Sequence, residues 1–213
     1  VGVAVLMRLN PQSSAAPVAG ERFSLRAHLL PRWRQLTPLF VVMAARSGVV
    51  TAFATFFQVL QGDRGASELR QGGVLFAFVA GGALGSIVFG HLSEHLGRRA
   101  TTVGTLLAAP VFLGLALGSG YSLALIFLFL GGLLARGAES VNIAQTQDLL
   151  PQGMGTASAL AMGTVWGVAG LLPPLVGIIS DHTHSLQYAL SLTLLLPVIA
   201  ALVAFRLPTH APR

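Results

Sequence analysis

Long apolar stretches alternate with short polar joints along most of the chain. Each stretch has about twenty residues, the number that a helix needs to cross the ~30 Å hydrocarbon core of a bilayer. The six stretches are Leu36–Leu60, Gly72–Gly90, Thr101–Leu117, Ser122–Asn142, Thr156–Ser180 and Leu186–Phe205. The pattern therefore predicts an all-α membrane protein with six transmembrane helices, for which the lipid bilayer is a partner.

Composition supports a membrane protein and argues against other classes. Hydrophobic residues make up 54% of the chain and charged residues 9%, and the mean hydropathy is +0.74. The formal net charge of +6 comes from Arg residues that lie mostly in the joints, where they indicate topology and no nucleic-acid partner. The sequence has no Cys, no H-E-x-x-H motif and no Gly-rich nucleotide loop, so we expect no metal, no other cofactor and no enzyme activity.

The two ends of the chain are predicted to lie outside the six-helix domain. Val1–Met7 is apolar and has the character of the end of a preceding transmembrane helix. Residues 8–35 carry several Arg residues and are expected to form a cytoplasmic linker, residues 36–206 the six-helix domain, and residues 207–213 a cytoplasmic tail. We therefore expect this chain to be the carboxyl-terminal part of a longer protein.

The distribution of Arg residues predicts the orientation of the bundle. The linker, the joint His91–Ala100 and the tail fall on one side and carry most of them, whereas Arg64 and Arg70 fall on the other. Because cytoplasmic joints are enriched in positive residues, the first side is predicted to be cytoplasmic. Both ends of the bundle would then lie in the cytoplasm, in a multi-pass protein of the cell (inner) membrane.

A short internal repeat indicates how the six helices are related. Residues 90–95 read G-H-L-S-E-H after the second span, and residues 177–182 read G-I-I-S-D-H after the fifth. Three spans separate the two copies, so the related units must lie upside down with respect to each other. Two inverted three-helix repeats are an arrangement found in secondary transporters.

The joint after the second span resembles a known family signature. Residues 90–99, G-H-L-S-E-H-L-G-R-R, resemble the signature G-x-L-x-D-x-x-G-R-[KR] of the major facilitator superfamily, with Glu94 in place of Asp. The segments Ala144–Pro151 and Gly155–Ala159 are similar to fosmidomycin-resistance-type permeases of that superfamily. The resemblance implies that the chain is the carboxyl-terminal six-helix half of such a transporter, with the amino-terminal half as its partner. It also implies that the first and fourth spans line the central pathway.

Elementary chemistry suggests what the signature joint does. Gly90 and Gly97 permit a tight reversal between two helices. Arg98 and Arg99 hold the joint at the anionic inner leaflet, and Glu94 accepts hydrogen bonds from a helix N-terminus or pairs with an Arg. Contacts of this kind form in one transporter state and break in another, which predicts a conformational-switch loop. The alternative is a loop that only sets topology.

Charged residues at membrane depth are the main candidates for function, because they are costly unless they face a cavity or a partner. Arg46 lies ten positions into its span, about 15 Å along the helix and close to the bilayer centre. It has no acidic neighbour on its own helix. A polar stripe at helical spacing extends its face and is predicted to border the substrate pathway: Ser47, Thr51, Thr55 and Gln58.

The fourth span offers a second polar group, in which Arg136, Glu139 and Asn142 recur at intervals of three. Two roles remain open for the charged pair: Glu139 serves proton coupling, or Arg136 and Glu139 form a purely structural ion pair. Asn142 is predicted to border the pathway.

The fifth span is expected to be breakable and to contribute one aromatic side chain. Trp166 either shapes a wall of the pathway or packs against neighbouring helices. The span also carries residues that favour close packing and interruption of a helix, namely Gly163, Gly167, Gly170, Pro173 and Pro174.

The resemblance implies a secondary active transporter, most directly a proton-coupled exporter of a drug or small anionic compound. An uptake permease for a sugar or metabolite is the alternative within the same class. A non-transporting scaffold or half-size bundle is the alternative of another class, but it leaves Arg46 and the polar stripe unexplained.

The predicted orientation is testable by cysteine labelling, because the chain has no Cys of its own. An Asp181→Cys variant of the full-length protein, otherwise without cysteines, should react with a membrane-impermeant maleimide added from outside the cell. A second variant, His95→Cys in the joint predicted to be cytoplasmic, provides the opposite case and should react only after the membrane is permeabilised. Labelling of Asp181→Cys from the cytoplasmic side alone would overturn the orientation.

Overall fold

The computed structural model describes residues 33–149, 154–205 and 207. Within these ranges the chain forms nine α-helices and no strand, which confirms the predicted all-α fold. The helices are α1 (Trp33–Asp63), α2 (Glu68–Leu96), α3 (Arg98–Gly118), α4 (Tyr121–Gly137), α5 (Glu139–Leu149), α6 (Met154–Ala169), α7 (Leu172–Thr183), α8 (Leu186–Thr193) and α9 (Leu195–Ala204).

The predicted terminal segments are described only at their inner edges. Residues 1–7, residues 8–32 of the predicted linker and residues 208–213 of the predicted tail lie outside the described residues. Because α1 begins at Trp33, the last part of the predicted linker, residues 33–35, belongs to the first helix.

The helices build six apolar segments that are long enough to cross a membrane, as predicted. Three are the single helices α1, α2 and α3, and the pairs α4–α5, α6–α7 and α8–α9 make the others. Their bounds are Leu36–Asp63, Glu68–Leu96, Arg98–Gly118, Tyr121–Asp148, Met162–Thr183 and Leu186–Ala204. An odd number of crossings separates the two groups of three, so the fold consists of two inverted three-helix units.

Proline explains two of the three interruptions within these segments. Pro173 and Pro174 lie in the first turn of α7, and Pro197 lies in the first turn of α9. A proline has no amide hydrogen to donate, so it is tolerated at a helix start and disfavours a continuous helix through the preceding turn. The fifth segment is therefore interrupted where its Gly and Pro residues predicted.

The third interruption, at Ala138 between α4 and α5, was not predicted. Ala138 has φ −87° and ψ 8°, and the adjacent Gly137 lies against Gly85 and Phe89 of α2. The continuous face predicted for the fourth span is therefore wrong, because Arg136 belongs to α4 whereas Glu139 and Asn142 belong to α5.

Helix α1 is the central element of the bundle. It packs against α2, α4 and all the helices from α5 to α9, and its Arg46 side chain reaches α3. Large apolar side chains on several of its faces are fully buried, among them Leu39, Val42, Phe53 and Phe57. A side chain on α1 is therefore held by neighbours from the whole bundle.

Helices α2 and α4 make the closest contact in the fold, and glycine makes it possible. A Cβ atom on Gly81 or Gly85 would overlap the backbone of α4 at Phe129 or Leu133. A Cβ atom on Gly132 of α4 would likewise overlap the carbonyl oxygen of Phe78. Small residues allow this approach of two backbones, and dispersion contacts between them stabilise helix pairs inside a membrane.

The glycine contact predicts a large difference between two otherwise identical substitutions. Gly85→Ala should lower the stability by about 1–3 kcal/mol, because the added methyl group overlaps the Leu133 carbonyl. Gly104→Ala on α3 meets no atom within 4 Å and should be neutral or stabilising, because Ala is the better helix former.

Thermal unfolding in detergent and abundance in the membrane measure the difference between the two glycine variants. Equal unfolding temperatures for Gly85→Ala and Gly104→Ala would show that the α2–α4 contact is looser than the structure has it.

Candidate functional site

The guanidinium of Arg46 is buried between α1 and α3. Its side chain is 4% exposed, and Nη2 donates hydrogen bonds to Oγ1 of Thr105 at 3.2 Å and to the carbonyl oxygen of Thr102 at 3.4 Å. The Nη1 atom has no hydrogen-bond partner among the described residues. Arg46 therefore keeps donor capacity inside the bundle that the described part of the chain does not use.

The direction of the Arg46 side chain follows from the direction of α1. We call the end of the bundle with residues 90–99 the signature end, and α1 and α3 both begin there. Side chains of a helix lean toward its N-terminus, so Arg46 reaches toward the signature end. Thr102 and Thr105 lie only about 6 and 10 Å along α3 from Arg98. The guanidinium therefore lies between the signature end and the middle of α3.

Two threonines of α3 organise the polar groups around Arg46. The Thr105 hydroxyl donates to the carbonyl oxygens of Thr101 at 2.9 Å and Thr102 at 3.1 Å, which leaves its lone pairs to accept from Arg46. The Thr102 hydroxyl donates to Oδ1 of Asn142 on α5 at 3.0 Å. Asn142 is fully buried, and its Nδ2 has no partner within the described part of the chain.

A small cavity lies beside these groups. It has a volume of about 10 Å³, enough for one water-sized group. It is lined by α1, α5 and α6 through Met43, Arg46, Ser47, Glu139, Asn142, Ile143, Met162, Val165 and Trp166. The charge of Glu139 acts on Arg46 across this space, although no ion pair joins the two among the described residues. The cavity therefore brings together one cation, one carboxylate and one amide.

The structure brings together five of the residues that the sequence predicted for the pathway or for coupling. Arg46, Ser47, Glu139, Asn142 and Trp166 all line this cavity.

The rest of the predicted polar stripe on α1 lies elsewhere. The Thr51 hydroxyl donates to the carbonyl oxygen of Ser47 at 2.8 Å, and Thr55 is exposed. Gln58 lies beside a separate apolar space with Phe53 and Phe57. The stripe therefore separates into a buried end at the cavity and a more exposed remainder.

Arg136 lies apart from the cavity, and its predicted structural pair is absent. Its aliphatic stem packs over Gly82 of α2. In the described ranges, the side chains that form ion pairs are His91 with Glu94 and Arg98 with Asp148. The pair between Arg136 and Glu139 does not form, because the interruption at Ala138 places the two residues on different helices.

The signature joint has the predicted reversal at Gly97, and its two Arg residues make contacts that the sequence did not predict. Gly97 has φ 84°, a left-handed conformation that favours glycine, at the boundary between α2 and α3. Arg98 forms an ion pair with Asp148 near the end of α5, and the Arg99 guanidinium lies 5.7 Å from the centre of the Phe205 ring. The joint therefore contacts the ends of the fourth and sixth segments.

Two other predictions for the joint are corrected. Gly90 does not reverse the chain, because α2 continues through it to Leu96. Glu94 faces His91 at 3.8 Å on an exposed surface and makes no ion pair with an Arg in the described residues.

Sequence reasoning missed the residues of α3 and part of α5. Thr102 and Thr105 hold the site but belong to a span that carries no charge at membrane depth. The sequence signal that could have found them is a spacing of three between two polar residues within an apolar stretch. Gln145 and Thr146 on α5 are also fully buried, and both amide atoms of Gln145 lack a partner among the described residues.

Comparison with known proteins places this fold in a family. A family model described as Major Facilitator Superfamily matches residues 39–213. The chain is similar to the fosmidomycin resistance protein of Escherichia coli (strain K12), with 32% identity over 132 residues, which are 62% of this chain and 32% of that protein.

Two further relatives come from Bacillus subtilis (strain 168) and are described as uncharacterized MFS-type transporters. YfnC is 32% identical over 136 residues, covering 63% of this chain and 32% of YfnC. YfkL is 29% identical over 103 residues, covering 48% of this chain and 26% of YfkL. The matched part therefore spans about a third of the length of these curated relatives or less. The family match covers most of the described helices, and the chain belongs to the major facilitator superfamily of transporters.

Proposed function

We propose that this chain forms one half of a proton-coupled exporter and that its substrate passes the cavity between α1, α5 and α6. The observation that carries the proposal is the buried, incompletely partnered guanidinium of Arg46 beside Glu139. A charge inside a membrane protein is costly to bury, and such residues usually serve a pathway or a proton relay. The proposed substrate is a drug or small anionic compound.

The second wall of the pathway comes, in this proposal, from the amino-terminal half of the same transporter. Support comes from the sixth helix: Met162 and Trp166 line the cavity, yet they are 43% and 44% exposed within this chain. The fifth segment is also the least covered of the six. A partner with a complementary surface would close the cavity from this side.

Export is proposed from the similarity to a protein named for fosmidomycin resistance. Removal of a compound from the cytoplasm is a direct route to resistance, and exchange for external protons supplies the energy. The proposed location is the inner membrane, with both ends of the bundle in the cytoplasm. No catalytic activity is proposed.

Uptake is the second candidate, and the shared cavity of Arg46 and Glu139 favours it for one class of substrate. A bound anion and an ionised Glu139 repel each other, so an anion and a proton at Glu139 bind together. Co-binding makes the two travel in the same direction, which is symport. A substrate that competes with the proton at Glu139 is instead exchanged for it. The sign of proton coupling therefore distinguishes the two candidates.

Arg46 is the residue whose removal should abolish transport. In cells that express the full-length protein, Arg46→Ala should reduce resistance to fosmidomycin to the background of cells without the protein. Hydrogen bonds from a charged group to the substrate are worth about 2–3 kcal/mol of binding free energy. Their loss corresponds to a fall of about 30- to 150-fold in transport efficiency. Arg46→Lys should restore only part of the function, because an ammonium keeps the charge but loses the planar fork.

The control for Arg46 removes a matching charge outside the cavity. Arg70 is exposed at the start of α2, and Arg70→Ala should keep full resistance. Immunoblots of membrane fractions confirm equal abundance of the three variants. Full resistance with Arg46→Ala would show that the substrate does not pass this residue.

Glu139→Gln tests proton coupling and its direction. In proteoliposomes with an imposed pH gradient, protons flow from the acid side to the alkaline side. An exporter that exchanges its substrate for protons should move fosmidomycin in the opposite direction. Glu139→Gln should bind the compound but lose the response to the gradient, because an amide does not titrate. Movement with the protons would favour uptake, and an unchanged gradient response in Glu139→Gln would place the proton site elsewhere.

A further inference from the structure

We propose that Thr102 and Thr105 of α3 hold Arg46 and Asn142 as a two-donor subsite for an oxyanion group, a carboxylate or a phosphonate, of the transported compound. The proposal rests on the transport role proposed above, which both candidate directions share. Thr102 and Thr105 are positioning residues in it, and Arg46 and Asn142 contact the ligand.

The first donor is the Nη1 group of Arg46, and α3 sets its direction. Nη2 of the same guanidinium is anchored to Oγ1 of Thr105 and the carbonyl oxygen of Thr102. The guanidinium is planar, so anchoring one terminal nitrogen also sets the direction in which the other points. Nη1 is buried without a partner among the described residues, and Arg46 lines the cavity.

The second donor is the amide nitrogen of Asn142, and α3 orients it as well. The Thr102 hydroxyl donates to Oδ1 of Asn142, which places the amide oxygen toward α3 and leaves Nδ2 on the other branch of the side chain. Nδ2 is buried without a partner in the described part of the chain. Asn142 is fully buried and lines the same cavity as Arg46.

The chemistry of the two groups selects the ligand. Both unused atoms are hydrogen-bond donors, and one of them carries a positive charge. A buried donor without an acceptor has lost its hydrogen bonds to water and gained none, so an acceptor that satisfies both donors is strongly favoured. Charge-assisted hydrogen bonds from a guanidinium are strongest to carboxylate and phosphate-type oxygens.

The size of the cavity is consistent with one oxygen atom of such a group. Its volume of about 10 Å³ holds a water-sized group and no whole substrate. The remainder of the ligand would extend past Met162 and Trp166 of α6, both of which are partly exposed. Glu139 lines the same space as Arg46, so the carboxyl group and the guanidinium face one cavity.

The test measures binding of small probes to the full-length transporter in detergent. Acetate and methylphosphonate are the oxyanion probes, acetamide is the neutral counterpart of acetate, and methylammonium is the cationic one. Trp166 lines the cavity, so its fluorescence, taken as the difference from a Trp166→Phe variant, reports occupancy. We expect at least one of the two oxyanions to bind at least ten-fold more tightly than acetamide. Methylammonium should not change the fluorescence.

The positioning role is tested by three substitutions of threonine on one helix. Thr105→Val removes the nearer of the two acceptors of Nη2 and should weaken oxyanion binding about ten-fold, whereas Thr105→Ser keeps the hydroxyl and should bind within two-fold of the wild type. Thr101→Val is the matched control, because the Thr101 hydroxyl donates only to Gly97 and touches neither ligand-binding residue. It should bind like the wild type.

Two outcomes would contradict the proposed subsite. Equal binding of acetate and acetamide by the wild type would do so, even if Thr105→Val failed to fold. Wild-type affinity in a folded Thr105→Val variant would exclude the positioning role.

Failure of the subsite and failure of the proposed function are distinguishable. Oxyanion binding with the expected variant pattern, but no proton-driven flux of fosmidomycin, keeps the subsite and contradicts the transport proposal. Proton-driven flux without preference for oxyanion probes contradicts the subsite and keeps the transport proposal.

Discussion

The burial of one guanidinium inside an apolar bundle is the constraint on which the rest of this site depends. Arg46 is permanently charged, and the surrounding helices offer it little water and no ion pair among the described residues. Two oxygens of α3 accept from one nitrogen of the guanidinium, and Glu139 acts on it through the cavity. The polar residues of three helices are therefore arranged around a single charge on the central helix.

Close packing of backbones supplies the rigidity that such an arrangement needs. The contact of Gly81 and Gly85 on α2 with α4 brings the fourth segment close to the second along most of its length. Beyond Gly137 the segment is interrupted, and α5 continues toward α6 and α1. This change of helix is what separates Arg136, which packs over Gly82, from Glu139 and Asn142, which face the cavity.

The signature joint and the cavity lie toward the same end of the bundle, and helix α5 contacts both. Asp148 near the end of α5 pairs with Arg98, and Asn142 of the same helix faces Arg46. Asp148 lies six positions after Asn142, which is about 9 Å along the helix. A rearrangement of the joint would therefore be transmitted to the cavity through a short rigid element, and Arg99 against Phe205 ties the sixth segment to the same joint.

The sequence by itself determined the number of spans, the all-α class and the family signature, and it identified Arg46 as a candidate, because each depends on local hydrophobicity or on residues close in the chain. Only the tertiary structure decided which polar residues meet. Thr102 and Thr105 are more than fifty positions from Arg46, so their hydrogen bonds depend on how α1 and α3 lie relative to each other, which periodicity does not specify. The pairing of Arg136 with Glu139 failed for the converse reason: spacing of three implies contact only on a continuous helix, and the helix is interrupted at Ala138 between the two residues.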